Sequence, residues 1–387
     1  MRLASLKYSE FAGTPAEWAI SDLSLTNINL IVGKNAAGKT RTTRVLNGLA
    51  GLITGKTRPN FDSTYYEATF VDDENNSRIT YELEIEHRKV KIERLTINDV
   101  EKLKLSSNSN KYSSGEMYFE KLDEKVQVQI PENSLAVASR RDNIQHGYLE
   151  LLHGWAQTFQ YYRFADNSEN AISIGGGEVS GAATEQFQFG RDVVALVKYA
   201  LTNFAVAFKK SIIEDMKEIG YEINDFGVTN IPSPVPINFG TPKQPEAIFL
   251  KEKGVAKPLM QNAISHGMYC AFVILAQFRF NFLSKKSPFI LVDDVGEGLD
   301  YERSTKLISI LIDIAEQGSF QLVMTTNDRF VMNKVPLKYW CVINREKGIV
   351  STFNPRNVPD AFEDFEEYGG NNFDFFAKKF FLKKSKE

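Results

Sequence analysis

Apolar residues along this chain fall into three kinds of run. Short unbroken runs at 27–33 (NINLIVG), 289–292 (FILV) and 320–325 (FQLVMT) predict strands buried on both faces. Alternating runs between 65 and 95 (YEATFV, RITYELEIE, KVKIERL) predict an antiparallel group, with turns at 72–77 (DDENNS) and 86–89 (EHRK). A further strand is expected at 3–8 and a short one at 134–137. Helical spacing predicts helices at 148–162, at 193–219 (one long or two), at 261–283 and at 302–316, and another opening within 33–53. Residues 106–115 (SSNSNKYSSG) and the glycines at 175–177 read as loops, and 231–245, with five prolines, as an irregular connector. Two short aromatic and charged helices are expected at 361–368 and 373–382. The strand–helix–strand order from 289 to 325 implies parallel pairing. There is no internal repeat and no sustained heptad, so a coiled-coil arm is not expected.

Composition narrows the class. The chain has 387 residues, 43% hydrophobic and 25% charged, which suits a soluble globular protein with one large α/β domain carrying an insertion, or two modest domains. A formal net charge of −3 leaves no wholesale basic surface for nucleic acid, although a local patch remains open. Cys270 and Cys341 sit in apolar contexts and read as buried free thiols. The four histidines show no metal-ligand spacing. The opening residues lack a signal-peptide run, and no stretch reaches the ~18 apolar residues of a membrane span, so a cytoplasmic protein without a membrane partner is expected.

The strongest chemical motif is Gly33-Lys34-Asn35-Ala36-Ala37-Gly38-Lys39-Thr40, a complete GxxxxGK(S/T) between a hydrophobic strand and a helix. Its glycines let backbone N–H groups turn inward around phosphate oxygens, and the helix start adds partial positive charge. Lys39 is expected to bridge the β- and γ-phosphates of ATP and the Thr40 hydroxyl to bind Mg²⁺, with Arg41 completing the nucleotide contacts. A Gly-rich turn arising by chance would not carry both flanking elements.

The run 289–294 ends an apolar strand in Asp293-Asp294, as a Walker B segment does. Asp293 is expected to hold Mg²⁺ through its water shell, and Asp294 or Glu297 to polarise the attacking water. By itself the pair also reads as a capped acidic turn. Residues 263–268 (AISHGM) resemble, in degenerate form, the LSGGQ signature of ABC ATPases. Ser265 and the Gly267 amide would meet the γ-phosphate of a nucleotide bound to another copy, whereas Ser265 alone reads as an N-cap. Gly298-Leu299-Asp300 resembles the D-loop that follows Walker B. At 324–330 (MTTNDRF), Asn327 stands where ABC proteins place a switch histidine. It can donate to a γ-phosphate but cannot take a proton, which implies slow or regulated turnover. Residues 139–145 are the best placement for a Q-loop, with Arg140 and Arg141 either sensing phosphate or forming a solvated turn.

Walker A, signature, Walker B and D-loop occur in the ABC order. They resemble the branch of ABC ATPases that includes RecF, the SMC heads, the OLD nucleases and the AAA15 group. The resemblance implies an α/β P-loop NTPase, an ABC-ATPase head with a mixed/parallel sheet, an antiparallel β subdomain and a helical insertion. The expected divisions are an N-terminal lobe at 1–140, the insertion at 141–230, a C-terminal lobe at 231–356 and terminal helices at 357–387. It implies an ATP-sandwich homodimer, extending to a higher assembly of dimers. A narrower resemblance, to the ATPase subunit of the PARIS anti-phage systems, implies a sensor or scaffold ATPase that holds a separate TOPRIM-type nuclease and responds to a phage protein trigger. The alternatives are a RecF-like repair ATPase binding DNA, disfavoured by the net charge, and a scaffold that binds ATP without hydrolysis. The terminal stretch, with Phe373, Phe375, Phe376, Phe380, Phe381 and Leu382 among Lys378, Lys379, Lys383 and Lys384, either docks a partner or packs on its own core.

Overall fold

The computed structural model describes residues 1–73, 75–107, 111–164, 193–231 and 246–382. The chain forms two compact units, one of Met1–Phe159 with Pro336–Glu387, the other of Gln160–Val335.

In chain order the first unit opens with β1 (Arg2–Glu10), β2 (Trp18–Ser24), β3 (Ile28–Val32) and α1 (Lys39–Ile53). It continues with β4 (Ser63–Asp72), β5 (Ser77–Glu86), β6 (Lys89–Ile97), β7 (Val100–Ser107), β8 (Tyr112–Phe119), β9 (Glu124–Pro131), the single turn α2 (Ala136–Ser139) and α3 (Gly147–Thr158). The second unit holds β10 (Gln160–Arg163), α4 (Val193–Asn203), α5 (Ala205–Ile219), β11 (Ile223–Asn230), β12 (Glu246–Glu252), β13 (Leu259–Met260), α6 (His266–Leu283), β14 (Phe289–Asp293), α7 (Tyr301–Gly318), β15 (Gln321–Thr326) and α8 (Arg329–Lys334). The chain then returns to the first unit with β16 (Trp340–Glu346), β17 (Ile349–Phe353), α9 (Pro359–Tyr368) and α10 (Asn372–Ala377).

Within the first unit the strands run β3-β16-β17-β2-β1-β4-β5-β6-β7-β8-β9. β16 lies parallel to β3 and β17 parallel to β2, while β1, β4 and the strands after them pair antiparallel. β3 is buried along its whole length, as its unbroken apolar run predicts. β5 alternates: Ile79, Tyr81, Leu83 and Ile85 are buried inward, with Glu82 and Glu84 facing out. The outer face carries one cross-strand row, Lys7, Glu67, Glu82, Arg94, Lys104 and Glu116. Alternating polarity of this kind fixes register, because a slip of one residue would bury charge.

In the second unit β10, β14 and β15 are parallel neighbours, and β11-β12-β13 form a small antiparallel sheet. α6 is buried on nearly every side, from Gly267 to Phe278 without a break. This is the expected fold class: a mixed α/β P-loop architecture with an antiparallel extension and a helical segment, α4 and α5.

Several local expectations are corrected. Residues 134–137 form no strand; the chain turns into α2, because the Glu93 carboxylate from β6 accepts the N–H groups of Ala136 (2.7 Å) and Val137 (3.0 Å). Of the stretch 106–115 expected as a loop, Ser106 and Ser107 close β7 and residues 112–115 open β8, while 108–110 lie outside the described residues. At Gly115 a Cβ would lie 2.1 Å from the Lys104 carbonyl oxygen, so this position admits only glycine. The helix expected over 148–162 ends at Thr158; Phe159 is extended, and β10 pairs with β14. The helix expected from 261 is a 3-10 turn, Gln261–Ala263, then an extended Ile264 and Ser265 before α6. The last expected helix breaks at Lys379 (φ 54°) into α10 and the turn Phe380–Leu382. There Phe362, Phe365, Phe375 and Phe380 pack ring against ring at 4.4–5.2 Å, so this stretch buries at home. The glycines at 175–177, residues 232–245, Lys383 and Lys384 lie outside the described residues. Both cysteines are buried and free. No described helix is long and apolar enough to cross a membrane.

Candidate functional site

In the first unit, β3 delivers the chain into the phosphate-loop motif. Gly33 is wedged so closely that a Cβ would meet Ile343 Cγ1 at 2.7 Å and the Ile343 carbonyl oxygen at 3.0 Å. Ala36 (φ 61°) and Gly38 (φ 108°) take left-handed backbone, which curls the loop before α1. Lys34, Asn35 and Ala36 are exposed and Ala37 is buried. α1 starts with no side-chain cap and no acidic residue in its first turn, so no side chain offsets its positive dipole end beside the loop. The Lys39 ammonium is buried and folds back over the loop, donating to the carbonyl oxygens of Gly33 (2.8 Å) and Lys34 (3.3 Å). Thr40 is half-buried. Arg41 turns away to the β1–β2 hairpin, where it pairs with Glu10 and lies 4.4 Å over the Trp18 ring. Trp18 in turn packs under Gly38.

In the second unit, parallel β14 and β15 end side by side, the usual place for chemistry in such sheets. Asp293 at the end of β14 is fully buried. Its Oδ1 accepts from the Thr325 hydroxyl (2.7 Å) and its Oδ2 from the Tyr161 hydroxyl (3.2 Å), and Arg163 Nε stands 3.9 Å from Oδ2. Asp294 has a left-handed backbone (φ 54°), a conformation that costs a non-glycine residue about 1–3 kcal/mol. Its N–H donates to the same Thr325 hydroxyl oxygen (2.9 Å), so one threonine orients both aspartates. Glu297 is exposed in the turn that follows. Asn327 is exposed just past β15, and Asp328 beside it caps α8 by accepting from Phe330 N (2.6 Å) and Val331 N (3.3 Å).

The signature-like and D-loop segments meet within this unit. Ser265 is exposed at the N-cap position of α6 without a side-chain cap bond. Gly267 is buried so tightly that a Cβ would lie 2.7 Å from the Gly298 carbonyl oxygen and 3.0 Å from Leu299 Cδ2. Asp300 caps α7, accepting from Arg303 N (3.0 Å) and pairing with the Arg303 guanidinium; these interactions, the backbone N–H first, hold its carboxyl below the usual range.

The structure therefore brings Asp293, Asp294 and the approach to Asn327 together at adjacent strand ends, and Gly267 together with Gly298 and Leu299. Sequence reasoning missed Tyr161, Arg163 and Thr325. Tyr161 lay inside the helix expected over 148–162 and Arg163 just past its end, where no motif was read, and only the polar tip of an otherwise apolar run marked Thr325. Of the residues placed at a Q-loop, Arg141 is held by Glu150 at 2.7 and 2.6 Å and contacts His153.

No protein-family model matches the chain, and no curated protein sequence matches it. Solved structures do. An SMC head bound to the C-terminal winged-helix domain of ScpA aligns at TM-score 0.55 with 11% identity, covering 91% of this chain and 97% of that one. An SMC head with an extended coiled coil, bound to the C-terminal domain of ScpA derived from Pyrococcus furiosus, aligns at TM-score 0.51 with 11% identity, covering 95% and 99%. A RecF structure from the RecFOR pathway aligns at TM-score 0.42 with 12% identity, covering 91% and 98%. On the likeness to the two SMC heads, the chain has the fold of an SMC head domain.

Proposed function

We propose that this chain binds and hydrolyses Mg²⁺-ATP, and that the nucleotide holds two copies of it together. The observation that carries the reading is the Gly33–Thr40 loop: an uncapped helix start, curled backbone, and a buried Lys39 ammonium resting on the loop's own carbonyl oxygens. A phosphate would take over those lysine protons and meet the N–H groups at the start of α1. Among the described residues no group of three or more His, Cys, Asp or Glu could hold a metal by itself. A metal would depend on nucleotide oxygens and water, and on the motif resemblance the Thr40 hydroxyl and the Asp293 carboxylate are each hard oxygen donors suited to Mg²⁺. The bound ion would draw charge from the phosphates. Asp294, or the exposed Glu297, would take the proton of the water that attacks the γ-phosphorus as the bond to the leaving ADP oxygen breaks. Asn327 would orient γ-phosphate without accepting a proton. Ser265 and the Gly267 amide would contact the nucleotide of the second copy.

The wider role proposed is that of an oligomeric sensor or scaffold in anti-phage defence, restraining a separate nuclease until a phage protein arrives. It rests on the motif resemblance, and co-purification with the product of a neighbouring nuclease gene tests it. The core reading is tested by steady-state phosphate release from native protein, Lys39→Ala and Asp294→Ala, with solution mass measured with and without ATP. Release by the native protein, cut at least about tenfold in both variants, is expected. Assembly on ATP without any release would overturn turnover and leave a nucleotide-held scaffold. No binding and no mass change would overturn the whole reading.

A further inference from the structure

Asp293 is a fully buried carboxylate, and burying such a charge is costly without a counter-charge. Its Oδ1 is taken by Thr325. Its Oδ2 faces β10, whose register sets Arg163 directly beside Asp293 and Tyr161 two residues before. The Tyr161 hydroxyl donates to Oδ2, while Arg163 Nε stops at 3.9 Å, outside hydrogen-bond length. That Nε is itself buried and has no hydrogen-bond partner among the described residues. A guanidinium held near a carboxylate but not bonded to it neutralises the charge and stays free to leave.

We propose that Arg163 is the displaceable counter-ion of Asp293, and that it makes metal binding at this carboxylate depend on nucleotide. A divalent cation approaching Oδ2 meets a positive charge already in place, so it binds weakly to the nucleotide-free protein. When the cation arrives with a polyphosphate, the guanidinium gains an anion to turn towards and the repulsion is relieved. Arg163 is thus a positioning residue that discourages metal loading without nucleotide. This inference rests on the ATP reading above for its purpose, but the counter-ion itself is measurable without ATP.

The test is Mn²⁺ binding to nucleotide-free protein, followed by electron paramagnetic resonance. Arg163→Gln is expected to bind Mn²⁺ about five- to tenfold more tightly than native protein, the effect of removing one nearby like charge. Arg163→Lys, which keeps the charge, should stay within about twofold of native, and adding Asp293→Asn to Arg163→Gln should abolish the gain. If Arg163→Gln does not fold, judged by thermal melting, Arg163→Met preserves the side-chain stem without charge and reads the same quantity. Mn²⁺ affinity that is unchanged or weaker in the uncharged variants overturns the proposal. Tighter Mn²⁺ binding in a protein that binds no fluorescent ATP analogue would instead sink the ATP reading and leave the counter-ion standing.

Discussion

Among the described residues the most deeply buried carboxylate of each unit, Glu93 in one and Asp293 in the other, lies in a sheet, and the two are held in opposite ways. Glu93, in the antiparallel extension, accepts two backbone N–H groups from α2 and the Tyr81 hydroxyl (3.1 Å). Burial dominates there and pushes its carboxyl up to about 7, against the lowering effect of those hydrogen bonds. Asp293, at the end of a parallel strand, has two hydroxyl donors and a cation close by. Glu93 pins a turn; Asp293 is prepared to meet positive charge. Burial alone therefore does not mark a functional acid. The company it keeps does: backbone donors point to a structural role, and a nearby counter-charge that is not bonded to the acid, at a strand end, points to chemistry.

The largest expected effect separates the two acids by activity. Asp293→Asn should reduce Mg²⁺-supported phosphate release at least about 100-fold, while Glu93→Gln should leave it within about threefold. Comparable losses in both would remove the distinction. The second separates them by pH. Because the folded-state pKa of Glu93 is raised, the folded protein holds the proton more firmly than the unfolded chain does. Its contribution is thus fully present below the unfolded value, near 4.5, and is lost as pH rises through about 7. Urea unfolding should show roughly 3 kcal/mol of pH-linked destabilisation across that window, absent in Glu93→Gln.

Third, Thr325→Val keeps the shape but removes the donor to Asp293 and the acceptor for Asp294 N–H. A loss of about 2 kcal/mol in urea unfolding is expected, with slower phosphate release. The smallest effect belongs to the outer face of the extension. Arg94 pairs there with Glu101 (2.9 Å) and Glu82 (3.6 Å) in partly exposed positions, and Arg94→Ala should cost less than about 1 kcal/mol, falling further in high salt.

Legibility in the sequence followed the range of the forces involved. The buried parallel strands β3, β14 and β15 were readable because water-excluded strands need unbroken apolar runs, and the phosphate loop because its backbone demands glycine at fixed spacing. β7, β8 and β9 were not, since serines fall on both faces, Ser113 being buried like Met117, and leave the alternation weak. β10 was hidden because Gln160–Arg163 carries no strand signal of its own and becomes one by pairing with β14.

The sequence by itself determined the fold class, the Gly33–Thr40 glycine-rich loop and the order of the motifs that follow it, all of them set by residues close together along the chain. Only the tertiary structure decided that Glu93 caps α2, that Thr325 orients both Asp293 and Asp294, that Gly267 locks onto Gly298, and that Tyr161 and Arg163 stand beside the Asp293 carboxylate. Each of those contacts joins residues far apart in the chain, and a charge or hydroxyl acquires its partner there only once the strands have been laid side by side.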